Sequence, residues 1–374
     1  MSAVTITQTP TGMATEPQPT RSSGSSRQVR IRSLHRPILD VALALAWLPF
    51  AVVTQVLQTA ASPSALAGFM AGVFLLSFAH QPLTVALVYG DPAQFRLRRA
   101  IFTWTPLILA VAVVVGFYVS FALVAIIGGL WNVEHTLMQR YGVTRIYGRK
   151  AGQDDGLVEK AMLVSWLALA MAWVAADPLT PGRVASIQFG ENNRVALEAL
   201  VAAQPVARFL VIPAAVAVVV IAARWLRDER ARAEVNPLKW FYLASTATIF
   251  ALILVDPLAG LMGYIGAHAV EYFVIVYQSL GRRYRITDPV AGASEESDPS
   301  LLGRAVRART GRMGFLAVYV GLVVAIITGL ERVHSPLAYT VVFFTLGGMH
   351  VFYDGFIWKL RRPVVADSLA VPHH

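Results

Sequence analysis

Histidines and carboxylates placed inside apolar sequence carry the chemical signal of this chain. Of the eight histidines, His80, His135, His268 and His350 fall within long apolar runs, one to a run. His35, His334, His373 and His374 lie outside them. Acids accompany three of the four: Glu134 precedes His135, Glu271 follows His268 by three residues, and Asp354 follows His350 by four. On a helix, separations of three and four put two side chains on one face, so His268 with Glu271 and His350 with Asp354 can serve one centre. Glu134 and His135 are about 100° apart around their helix and face different surroundings. A carboxylate at the middle of a bilayer costs roughly 2.5–3.5 kcal/mol on the lenient insertion scale. Three would cost on the order of 8–10 kcal/mol unless something positive answers them. Arg140 is the one basic residue near in sequence, so a bound cation is the natural candidate.

Neutral imidazoles suit iron, copper, zinc and nickel, and added carboxylates move the choice towards iron, manganese or zinc. The chain has no cysteine, which excludes disulfides, iron–sulfur clusters and thiolate zinc sites. The expected ligands are His80, His135, His268 and His350 around iron(II), with zinc or haem as alternatives. Glu271 and Asp354 would accept hydrogen bonds from the outer imidazole N–H groups, or act as ligands in a two-metal version. Glu134 is a third candidate catalytic acid. A lone intramembrane histidine often serves only as a hydrogen-bond partner between helices; four beside three acids favour a shared centre. A redox metal at this depth implies a substrate that partitions into lipid. Oxygenation, desaturation or cleavage of a carotenoid, lipid or other hydrocarbon chain would fit, with an electron-donor protein as a further partner.

The elements that must position these residues are membrane helices. Hydrophobic residues make up 56% of the 374 and charged residues 14%, with a mean hydropathy of +0.57; soluble domains carry about 25% charged residues. A span needs about 20 apolar residues, and ten such runs can be drawn: 38–60, 65–90, 101–117, 119–141, 157–176, 206–226, 238–256, 258–280, 314–332 and 337–359. The stretch 101–138 is too long for one span, and a hairpin at 116–120 divides it best. Asp256-Pro257 is another natural break, since proline disfavours helix in the residue before it. The net charge of +10 resides largely at alternate turns, among them Arg96 to Arg99, Arg145 to Lys150, Arg224 to Arg232 and Lys359 to Arg362. That alternation places both termini in the cytosol by the positive-inside rule and removes the need for a nucleic-acid partner. Counting from the external ends, each of the four histidines falls between the midplane and the cytosolic third. The expected fold is all-α, a polytopic transmembrane helix bundle of about ten spans in a bacterial cytoplasmic membrane. Residues 1–37 read as a disordered basic tail rather than a signal peptide, 38–363 as the helical domain and 364–374 as a C-terminal tail. Residues 192–204 have the spacing of a connecting or interfacial helix, and 288–299 read as linker.

Four segments carry the histidines: FAHQPLTVALVYGD, WNVEHTLMQRYG, GAHAVEYF and MHVFYDGFIWK. They resemble the bacteriorhodopsin-related Brp/Blh family, polytopic β-carotene dioxygenases, and the last three also look like motifs of uncharacterised bacterial membrane proteins. The resemblance implies an iron held by intramembrane histidines and a carotenoid-like substrate. It covers the histidine helices only. The family's pair of histidines on one helix is absent, and Asp354 follows His350 at that spacing. Two competing classes use the same residues: a transporter for metal ions or coupled to protons, and a membrane haem protein. Pro82, Pro106 and Pro213 offer the helix breaks a transporter uses, without an inverted repeat. No serine elbow, HExxH or phosphate-binding glycine loop is present, so hydrolase and nucleotide chemistry are not indicated.

Overall fold

The computed structural model describes residues 28–182, 193–284, 300–308 and 310–372 and is 84% helical. In chain order its helices are α1 (Pro37–Ala44), α2 (Leu48–Thr59), α3 (Pro63–Tyr89), α4 (Pro92–Arg96), α5 (Arg99–Lys150), α6 (Leu157–Ala176), α7 (Asn193–Arg230), α8 (Pro237–Val255), α9 (Pro257–Arg283), α10 (Leu301–Arg307), α11 (Gly311–Val333), α12 (Pro336–Ile357) and α13 (Pro363–Ser368). Many start with proline in the first turn, where its missing N–H costs nothing. At four of these starts a side chain also accepts an orphaned backbone donor, as Asp91 does from Ala93 N at 2.9 Å. Asn236 accepts from Leu238 N at 3.2 Å, Asp256 from Ala259 N at 3.0 Å and Ser335 from Ala338 N at 3.2 Å.

Nine helical segments among the described residues are long and apolar enough to cross a membrane. The third and fourth expected runs are joined in α5, whose 52 residues would extend about 78 Å if straight, more than twice a hydrocarbon core of about 30 Å. Ser120 breaks it: its φ of −168° and ψ of 106° are extended, and its Oγ accepts from Leu123 N at 3.3 Å, as the first residue of a new helix does. The chain turns back there. A Cβ on Gly116 would lie 2.5 Å from Val124 Cγ2, whereas residues eight apart on one continuous helix are separated by about 12 Å along its axis. Only glycine fits that approach.

Helix α9 forms the core, with 78% of its most apolar window buried. It packs against α2, α3 and α8, while α12 packs against α3 and α5. Elsewhere the outward faces are apolar, including Phe209, Ile212 and Val219 on α7 and Val119 on α5, each more than half exposed. Such a continuous apolar exterior suits lipid rather than water, as expected of an integral membrane protein. Two fully buried cations, Arg140 and Lys239, are paired with acids. Lys239 is fully buried, and its Nζ lies 2.5 Å from a Glu159 oxygen and 2.6 Å from a Glu229 oxygen, tying α6, α7 and α8 together.

Both expected tails contain folded structure. Residues 1–27 lie outside the described residues, but Gln28–Val29 pairs in parallel with Glu234–Val235. Leu34 is buried, and its N–H donates to Asp40 Oδ2 at 2.5 Å. At the other end α13 packs on α9, burying Val365, Ala366, Leu369 and Val371 in one cluster with Val143, Tyr147, Tyr242 and Ile275. Apolar stretches too short to span a membrane gain a partner only when the bundle supplies one. The stretch expected as a separate connecting helix begins α7 from Asn193 onward and continues into the next span without a break; Asn192 and the 288–299 segment lie outside the described residues.

Candidate metal centre

The four histidines come from α3, α5, α9 and α12, and their rings meet. Ring centroids are 4.6 Å apart for His80 and His268, 5.2 Å for His268 and His135, 4.6 Å for His135 and His350, and 4.7 Å for His350 and His80. The circuit is closed, with His268 and His350 6.3 Å apart across it. All four are buried. Close helix packing makes this convergence feasible: a Cβ on Gly347 would sit 3.0 Å from Gln81 Oε1, so α12 approaches α3 tightly beside the two histidines they carry.

Two overlapping sets of metal-ligating atoms result. His80, His268 and His350 form one fully buried triad, and His135, His350 and Asp354 form the other, with the atoms of each set within 4.8 Å of one another. His80 Nε2 faces His350 Nε2 at 3.1 Å. Two nitrogens bound to one ion at about 2.0–2.1 Å would be about 2.8–3.4 Å apart at right-angled to tetrahedral geometry. Neither ring nitrogen of His268 has a hydrogen-bond partner among the described residues. A buried donor or acceptor left so costs about 1–3 kcal/mol, a cost that a bound ion relieves. The triad can therefore hold a metal ion. Of the four histidines expected as ligands, His135 falls in the second set, its Nε2 3.7 Å from Asp354 Oδ2.

Asp354 lies against His135 and His350, on the helix face that its spacing from His350 gives it. Its Oδ1 accepts from Thr84 Oγ1 at 2.9 Å and from Tyr272 OH at 3.0 Å, while Oδ2 lies 3.8 Å from His350 Nδ1. Thr84 Oγ1 is also 2.7 Å from His350 Nδ1 and 2.5 Å from Tyr272 OH. An N–H on Nδ1 of His350 donates to Thr84, and the Thr84 hydroxyl donates to Asp354, which leaves the Nε2 lone pair facing the triad. Outer hydrogen bonds of this kind fix the tautomer and orientation of a metal-bound imidazole. Thr84 and Tyr272 are legible as neighbours of the histidines, each four residues after one and hence on its face.

Glu271 does not join the centre. Its Oε1 lies 3.1 Å from Arg140 Nη2, and its Oε2 accepts from Tyr242 OH at 3.0 Å and Gln139 Nε2 at 3.3 Å. The acid is answered by a guanidinium on α5, so the cation expected to offset it is a residue of the chain. Glu134 is exposed and belongs to neither ligand set. It lines a cavity of about 840 Å³ that also reaches His135 and Asp354 and passes Trp131, Met138 and Val351. No family model, curated protein or solved structure matches the chain.

Proposed function

We propose that this chain is a membrane-embedded non-haem metal oxygenase acting on a lipophilic substrate, with iron(II) held by His80, His268 and His350 and with His135 and Asp354 beside it. The observation that carries the reading is His268, a fully buried imidazole whose two nitrogens have no hydrogen-bond partner among the described residues, facing two other histidines. The donors are nitrogen with one carboxylate at hand and no sulfur, a set that suits iron, zinc or manganese. A bound iron would supply the activation of dioxygen. The residues around it orient the imidazoles, exclude bulk water and admit an apolar chain through the cavity next to His135 and Asp354. Haem fits this packing poorly: two axial nitrogens across an iron stand about 4 Å apart at bond lengths near 2 Å, with a macrocycle between them. His80 and His350 approach to 3.1 Å.

The accompanying topology is ten crossings, with α5 counted twice across Ser120 and both termini on the cytosolic side of a bacterial inner membrane. Metal analysis and an optical spectrum of the purified protein test the function. About one equivalent of iron without a Soret band is the expected result, and His268→Ala should abolish it. Metal-free protein, a Soret band, or metal uptake by proteoliposomes would remove the oxygenase reading.

A further inference from the structure

We infer that the cavity beside the metal centre takes a single-chain amphiphile with an anionic head, its chain lying towards His135 and Asp354 and its head held by a cluster of basic residues at the cytosolic end. That the bound molecule is a substrate rests on the oxygenase reading; that the cavity selects it by charge does not.

The cavity of about 840 Å³ joins two chemically different regions. At one end are His135 and Asp354, with apolar walls from Trp131, Met138 and Val351. At the other it is lined by Arg149, Lys160, Lys359 and Arg361, with Asp154 as the acid among them. Arg145 lines it as well, but its guanidinium is used by the carbonyls of Gln153, Asp154 and Asp155. Among the described residues Lys160, Lys359 and Arg361 form no ion pair, and Lys160 and Arg361 are exposed. Basic residues at a cytosolic membrane face are ordinary. These differ in opening onto the same cavity as two groups of the metal centre.

The dimensions agree with this occupant. His135 and Arg149 are fourteen residues apart on α5, about 21 Å of helix, against about 15 Å for half of a bilayer's hydrocarbon core. A chain whose head stays with the phosphate and carboxylate groups of the cytosolic leaflet therefore reaches the centre without its head leaving the interface. A hydrocarbon with no head would gain nothing from the basic end. The segregation of charge makes sense for a molecule with one wet, negative terminus and one apolar terminus.

Competition binding on the full-length protein in neutral detergent tests the inference, with radiolabelled palmitate as the probe and palmitate, hexadecyl phosphate and hexadecanol as competitors. The two anions should compete about ten- to thirtyfold better than the alcohol. Which anion is stronger separates a carboxylate head from a phosphate head. High salt should shrink the preference, since exposed charges are screened, and the double variant Lys160→Ala with Arg361→Ala should remove most of it. Equal competition by the alcohol, a preference unchanged in the double variant and by salt, or no saturable binding would each overturn the inference. Metal content measured on the same preparation keeps the two readings separate: iron without head-group preference sinks this inference alone, and preference without iron sinks only the oxygenase.

Discussion

Arg140 Nη2 lies 3.1 Å from Glu271 Oε1, and both side chains are fully buried. An acid three residues from a histidine of the buried triad is thus committed to a helix–helix ion pair, while the acid four residues from another, Asp354, stays with the histidines. The two carboxylates look alike in sequence and have opposite neighbours in space.

That pairing gives the first prediction. Arg140→Met leaves Glu271 as an uncompensated buried charge and should destabilise the protein by about 3–5 kcal/mol, seen as a loss of folded yield or a lowered thermal midpoint in detergent. Adding Glu271→Leu should restore most of the loss, because it removes the orphaned charge. Glu271→Gln alone should retain bound metal. A metal-free Glu271→Gln protein would return Glu271 to the centre.

Metal occupancy should separate the two ligand sets. His80→Ala and His350→Ala should each lower the metal content of purified protein at least as severely as His268→Ala does. His135→Ala leaves the triad intact and should retain metal. Equal loss in all four variants would show that one ion draws on every histidine.

Thr84 should act through the groups it orients. Thr84→Val deletes the hydroxyl lying 2.7 Å from His350 Nδ1 and 2.9 Å from Asp354 Oδ1. Loss of such an outer partner typically costs about 10–100-fold in metal affinity, measurable by competition with a chelator of known strength. Thr84→Ser keeps the hydroxyl and should stay near wild type.

The turn at Ser120 can be tested directly, because a chain without cysteine accepts single reporters cleanly. Ser120→Cys should react with an impermeant maleimide added outside intact cells. A cysteine at the exposed Gly152 should react only after the membrane is opened. Labelling of both from the same side would show that α5 does not divide into two spans.

The amino-acid sequence by itself determined the solvent this protein is built for, the helices and which residues share a helix face. Apolar runs about as long as a bilayer is thick have few other uses, and a helix places residues four apart on one face whatever its neighbours, so Asp354 could be paired with His350 from spacing alone. Only the tertiary structure decided which helix lies against which face. It turned Glu271 to Arg140, set Thr84 and Tyr272 against His350 and Asp354, and moved His135 out of the buried triad. It also gave Leu34 and Val365, apolar residues outside the long spans, partners against which to bury. Local periodicity reports the direction of a side chain around its own helix; the identity of what waits there depends on the crossing and depth of another helix, which no spacing within one segment encodes.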